Sequence, residues 1–308
     1  MIFFEKQLTE QLVKKELVKT TFFQGFTFII VEIEDRMKED ILKEKSKQKN
    51  SYRGLFLLFA LLTAGVFLTW SPFLGQNLTG DEIIQKVDEL LTTQTAHAKM
   101  KMTIETTSGQ KRTFVYESWT KDEGEKNLIR YLEPSRVKDQ AVLMLNNAND
   151  IWMFFPRTQR VRKLATHAKK QKMQGSDFSY EDMGGGGEFE EDFKAKRLDD
   201  EEKNGHDCYK VELIRKPDKD ISYSRLLIWV IKENFYPIVI EYYDEKDPTY
   251  LQKTLTQSDI QVIDGIPTAK KMVMKNLNDQ TQTVMEVKEI EYEVELDDRL
   301  FTERNLKR

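Results

Sequence analysis

Read for the spacing of its apolar residues, the chain falls into three stretches. Residues 54–70, GLFLLFALLTAGVFLTW, carry no charge and are bounded by Arg53 before and Ser71-Pro72 after. From Asp81 to Leu91, DEIIQKVDELL sets Ile83, Ile84, Val87, Leu90 and Leu91 at helical spacing, with Thr79 or Asp81 available to cap the first turn. Beyond that helix the period drops to two. Met100, Met102 and Ile104 alternate with polar neighbours, and Ser108-Gly109 turns the chain into KRTFVYESW. The strand-like runs NLIRYL, QAVLMLN, DIWMFF, QRVRKL, CYKVELI, YSRLLIWVI, YPIVIEYY, AKKMVMK and TVMEVKEIEYEVEL follow. Their separators are turn residues: Glu133-Pro134, Asn146 to Asn149, Asn204-Gly205, Lys216-Pro217-Asp218 and Asp264-Gly265. Eleven or twelve strands in roughly 200 residues, with no helices alternating between them, predict an antiparallel meander that has to curl or close at this size.

The meander breaks once, over about 165–192. There the chain reads ATHAKKQKMQGSDFSYEDMGGGGEFEED and switches sign: Arg157 to Lys172 holds seven bases and no acid, Asp177 to Glu202 eleven acids and three bases. So long an excursion crosses one end or face of a meander as a lid, and Phe178, Tyr180, Met183 and Phe189 give it an apolar side that packs. A merely solvated loop is the alternative. The glycines Gly184 to Gly187 read as a hinge, because no apolar strand feeds them and the phosphate-binding G-x-x-x-x-G-K-[ST] pattern is absent.

Charge changes the picture at the N-terminus. Lys38, Lys43, Lys45, Lys47, Lys49 and Arg53 precede the apolar run, whereas the first cation after it is Lys86. That asymmetry places residues 1–53 on the cytoplasmic side, as an extension or signal n-region, and everything after about residue 75 outside the cytoplasm. Residues 54–71 are then a signal-peptide core or a transmembrane anchor, followed by one domain over 76–308. Small residues at a cleavage point are hard to find, and no Cys follows the run, which excludes lipid attachment at a new N-terminus. The net charge of -4 recommends no nucleic acid as partner.

The search for chemistry returns little. His97, His167 and His206 are isolated, the one cysteine, Cys208, sits in an alternating strand, and no G-x-S-x-G elbow occurs. Asp199 to Glu202 lead into Asn204-Gly205 as a charged hairpin tip, without calcium-loop spacing. The expectation is a protein that is not an enzyme and carries neither metal nor cofactor. What remains is an apolar surplus. IWMFF, QAVLML and RLLIWVI are apolar on both faces, so neither face of the sheet meets water there. Aromatics and methionines dominate, among them Trp119, Met153 and Phe155, and methionine suits a surface that adapts to flexible ligands. An ordinary all-β core is the alternative to a ligand cavity.

In IWMFFPRTQRVRKL, residues 151–164, Pro156 ends one strand because it has no N–H for the ladder. The returning strand sets Arg160 and Arg162 on one face, Val161 and Lys163 on the other. The arginines have two readings, pairing with the lid acids Asp177, Glu181 and Asp182, or contact with a phosphate head group.

These residues together resemble a known family. DIWMFFPRTQRVRKL with Trp152, Pro156, Arg160 and Arg162, then QGSDFSYEDM with Gly175, Ser176, Asp177, Phe178, Tyr180 and Asp182, then DDRLFTERNLKR, are similar to the LolA-like outer membrane lipoprotein-sorting proteins, from about Asp81 to Arg308. The resemblance implies a mainly β fold, a curled antiparallel sheet forming an unclosed β-barrel with a helical lid. It also implies a periplasmic, non-enzymatic carrier whose apolar cavity takes acyl chains of lipoproteins or other lipids. The candidate lining is Met100, Met102, Phe114, Tyr116, Met144, Trp152, Phe154 and Trp229; the candidate lid and latch are Arg160, Arg162, Asp177, Phe178, Tyr180 and Asp182. A monomer is expected. The competing reading is a membrane-anchored accessory module of an RND- or ABC-type export system whose core holds no cargo.

Overall fold

The computed structural model describes residues 78–184 and 189–307. The chain divides into two units, 1–76 and 77–308, and the first, with the extension and the apolar run expected to be a signal or anchor, lies outside the described residues. Among the described residues no helix is long and apolar enough to cross a membrane.

The second unit opens with helix α1, Gly80–Leu91, whose cap is Thr79: its hydroxyl accepts from the Glu82 N–H while the Glu82 carboxylate accepts from the Thr79 N–H. Six strands follow: β1 Thr95–Glu105, β2 Lys111–Lys121, β3 Lys126–Glu133, β4 Ala141–Leu145, β5 Asp150–Phe155 and β6 Arg160–Lys163. After an interval that holds the short helices α2, Tyr180–Gly184, and α3, Phe189–Asp192, eight more complete the sheet. They are β7 Phe193–Arg197, β8 Glu201–Lys203, β9 His206–Arg215, β10 Tyr223–Ile231, β11 Pro237–Asp244, β12 Leu251–Ile263, β13 Ile266–Asn276 and β14 Thr281–Tyr292.

All pairings are antiparallel, in the order β6-β5-β4-β3-β2-β1-β14-β13-β12-β11-β10-β9-β7, with β8 paired to β9. Because β14 returns to pair with β1, the two halves of the meander join in the middle and the free edges are β6 and β7. The segment 164–192 connects those edges. The glycine turns behave as their sequence demands: Asn204-Gly205 and Asp264-Gly265 are two-residue hairpin loops with φ of +52 and +83, and +52 and +85.

The sheet is curled. Side chains from β1 to β5 and from β9 to β14 meet in one cluster with Ile83, Ile84 and Val87 of α1, which strands on opposite wings of a flat sheet could not do. The convex side carries two smaller clusters. One gathers Leu128, Ala141, Leu143 and Phe154 beneath Phe301 and Leu306 of the C-terminal 3-10 turns. The other gathers Cys208, Trp229, Ile231, Tyr236, Ile238, Val239 and Ala269.

Three strands escape the periodicity reading. The longest, β12, has only Leu251 and Leu255 as apolar residues in its first half, and between them Lys253 occupies a buried position, so the alternation is disguised by a buried cation. Strands β7 and β8 are short and rich in charge.

Candidate functional site

The concave face is lined by residues that alternate inward. Met100, Met102 and Ile104 of β1, Phe114 and Tyr116 of β2, Ile129 and Tyr131 of β3, and Val142 and Met144 of β4 are all buried. Phe114 and Tyr116 each meet Tyr131 edge to face, at ring centroid distances of 6.0 and 5.7 Å. The opposite wing adds Leu226, Ile228 and Val230 of β10, Ile240 and Tyr242 of β11, and Met274 and Met285 of β13 and β14. Five predicted lining residues, Met100, Met102, Phe114, Tyr116 and Met144, therefore share one surface.

The other three do not. Trp152 and Phe154 stand on the convex side of β5, under the C-terminal turns, while their neighbours Ile151 and Met153 point to the concave cluster. Trp229 likewise faces outward from β10: its Nε1 donates to Glu201 Oε1 at 2.6 Å, and Lys203 and Lys210 lie 3.9 and 5.0 Å from its ring. A strand apolar on both faces supplies two cores rather than one thicker cavity, and only every second residue belongs to each.

The segment between β6 and β7, the expected lid, is held by the polar residues of QGSDFSYEDM, one contact after another. Gly175 has φ +71, a conformation that suits glycine, and its carbonyl accepts from Arg112 at 3.3 Å. Ser176 Oγ accepts from the Phe178 N–H at 3.2 Å and donates to the Phe178 carbonyl at 3.1 Å. The Asp177 carboxylate, 1% exposed, accepts from Thr281 Oγ1 at 2.6 Å and Thr283 Oγ1 at 2.8 Å, and the Asp177 N–H donates back to Thr283 Oγ1. Phe178 and Tyr180 are buried in the concave cluster. Ser179 and Asp182 form a reciprocal cap for α2, at 2.7 and 3.0 Å. Asp182 also accepts from Tyr223 OH at 2.7 Å and pairs with Lys253 Nζ at 3.1 Å, an ion pair whose side chains are 5% and 8% exposed. Glu181 accepts from the N–H and hydroxyl of Ser222.

The predicted latch is therefore corrected in its cations. Asp177 and Asp182 bond instead to Thr281, Thr283, Tyr223 and Lys253, with Lys172 Nζ 3.5 Å from Asp177. Arg160 and Arg162 are exposed on the edge strand β6, and Arg162 lies over the Phe155 ring at 5.9 Å. The physical reason is reach: the lid's acids descend onto β10, β12 and β14, on the other wing from β6. Lys253 was hidden from sequence reasoning because a buried cation breaks the alternation that marks a strand. Its one signal is a lone lysine between Leu251 and Leu255.

The ends of the lid are also fixed. The Asp88 carboxylate of α1 accepts from the N–H groups of Phe189 and Glu190, at 3.3 and 2.8 Å. Of the hinge glycines, Gly184 is described. A Cβ placed there would lie 2.7 Å from Ala148 Cβ and 3.1 Å from Met144 Sδ, so glycine lets α2 close on the β4–β5 hairpin. Burial raises the Glu181 carboxyl above its ordinary value, against the pull of its Ser222 hydrogen bonds. Burial also raises the hydroxyls of Tyr116, Tyr131 and Tyr223. Among the described residues no group of three or more His, Cys, Asp or Glu is arranged to hold a metal.

Comparison with solved structures places this geometry. The chain is similar, at 27% identity and TM-score 0.67, to a domain named for outer membrane lipoprotein sorting from Vibrio parahaemolyticus, over 74% of this chain and 98% of that one. It is similar to a DUF1329 family protein from Desulfovibrio piger at 27% identity and TM-score 0.68, over 74% and 97%. A LolA superfamily protein from Nitrosomonas europaea shares the fold at 23% identity and TM-score 0.62, over 74% and 99%. No curated protein matches the chain. A family model described as "Uncharacterized protein" matches residues 123–308, more than half of the chain, which therefore belongs to that family, and its fold is LolA-like.

Proposed function

We propose that residues 77–308 act as a non-enzymatic, extracytoplasmic carrier that shelters an acyl chain of a lipoprotein or other lipid against the concave face during transport toward the outer membrane. The observation that carries this reading is the construction of the cover. One apolar face is assembled from nearly every strand, and the single segment that joins the two free edges covers it with its residues 164–184 and 189–192. Sheltering an acyl chain gains about 0.8 kcal/mol per methylene. A chain of ordinary length would then gain about 10 kcal/mol before ordering costs, enough to displace lid side chains such as Phe178 and Tyr180 from the same face. The solved neighbour named for lipoprotein sorting supports the same reading.

One observation favours the second reading, an accessory module of an export system with no cargo. Met102, Phe114, Tyr116 and Met144 are at most 1% exposed, sealed by the chain's own side chains. Organic extraction of purified 77–308, followed by mass spectrometry and titration with a fluorescent fatty-acyl ester, separates the two. Co-purified lipid and saturable binding are expected; an empty protein that binds no acyl ester would leave only the second reading.

A further inference from the structure

Three tyrosine hydroxyls are carried into the concave interior and find poor partners or none. Tyr116 OH donates to the thioether of Met285 at 3.6 Å, and Tyr180 OH to that of Met153 at 3.6 Å, a weak acceptor in both cases. Tyr131 OH is buried and hydrogen-bonded to no described residue, and the Gln174 side chain of the lid approaches it without completing a bond. Phenylalanine would fill the same volume without burying an idle donor, so the hydroxyls raise the cost of the closed state. The Tyr131 ring, fixed edge to face by Phe114 and Tyr116, cannot swing its hydroxyl to water.

We propose that the interior takes its lipid by an acyl carbonyl as well as by its hydrocarbon, with Tyr131 OH as the donor to that oxygen and Tyr116 OH beside it. This rests on the carrier reading above and narrows its ligand to esters and amides of fatty acids. A carboxylate would bring an unpaired charge among Tyr116, Tyr131 and Phe114, whereas a neutral carbonyl brings an acceptor alone. Burial and the neighbouring hydroxyls of Tyr116 and Tyr180 keep the Tyr131 phenol protonated far above neutral pH, so it stays a donor. Gln174 lies on the lid, so lifting the lid uncovers Tyr131 as the lipid arrives.

The test uses residues 77–308, which form a compact unit of their own. Displacement of the apolar dye N-phenyl-1-naphthylamine is measured with monoolein and with its ether analogue, oleyl glyceryl ether, which lacks only the carbonyl. Wild type should prefer the ester by about tenfold, the worth of one good hydrogen bond. Tyr131→Phe should bind both lipids alike while melting no lower than wild type, because it removes a hydroxyl without a partner. Equal affinities in wild type, a preference that survives Tyr131→Phe, or a lower melting temperature for that variant would each overturn the proposal. If neither lipid displaces the dye, the carrier reading itself fails. A diacylglyceryl lipopeptide titrated alongside assigns the carbonyl: tighter binding than monoolein supports a lipoprotein's acyl ester, weaker binding a free glycerolipid's.

Discussion

The concave face of the sheet is covered by residues 164–184 and 189–192 and part of the convex face by residues 297–307, and the two covers grip differently. The C-terminal cover plugs Phe301 and Leu306 into an apolar floor of Leu128, Ala141, Leu143 and Phe154, with its polar contacts, such as Asp298 to Lys121 and Lys126, at the exposed rim. The lid also buries apolar residues, but beneath it lie Asp177 with two threonine hydroxyls and the ion pair of Asp182 with Lys253. Lifting the C-terminal cover exposes hydrocarbon and gains nothing. Lifting the lid exposes hydrocarbon too, yet it returns charged groups to water, which offsets part of the cost. On the carrier reading proposed above, the first cover serves as a permanent wall and the second as a door.

The largest effects should separate the two covers. Phe301→Ala should lower global stability by about 3–5 kcal/mol in denaturant unfolding, through a cavity that the short C-terminal turns cannot collapse. Asp182→Ala leaves Lys253 buried without its partner, also at about 3–5 kcal/mol. Its signature should be local: amides of the lid exchange faster while those beneath Phe301 do not. Equal effects of both variants on both segments would remove the distinction. Gly184→Ala should cost about 1–3 kcal/mol by forcing α2 off Ala148, and proteolysis within the lid should quicken.

A smaller effect has a definite sign. Burial raises the Glu181 carboxyl in the folded state, so its ionised form costs stability above that raised value. The cost is relieved as pH falls through it toward the ordinary carboxylate range. Glu181→Gln should therefore be neutral or stabilising at pH 7, and its advantage over wild type should shrink on acidification, as read from paired thermal melts. Smallest of all, Arg160→Ala should change stability by no more than about 0.5 kcal/mol and leave lid exchange untouched, since its exposed guanidinium does not hold the lid.

The architecture was legible wherever one rule governed a residue. Helical spacing located α1, alternation or unbroken apolar runs located eleven strands, Asn-Gly and Asp-Gly located two hairpins, and a change of charge and composition marked the interval between β6 and β7. What stayed hidden involved two demands on one position. Lys253 is both a strand's inward residue and the lid's counter-ion, and it concealed β12. Trp152 and Phe154 differ from Met153 only in parity, and which parity faces the cavity depends on where Phe301 and Leu306 fold back, a contact between residues far apart in the chain. Asp177 and Asp182 stand out in the sequence as acids among apolar residues, but their partners do not, because pairing across β10, β12 and β14 is set by the curl of the whole sheet.

The central claim, that the concave face opens at its lid to admit a lipid while the convex face stays shut, is tested most directly by hydrogen–deuterium exchange on the unit 77–308 with and without monoolein. Amides of 164–192 should exchange faster than those of 297–307 in the free protein and should alone change when monoolein binds. Lid and C-terminal segments exchanging at the same rate, unaltered by saturating monoolein, would contradict it.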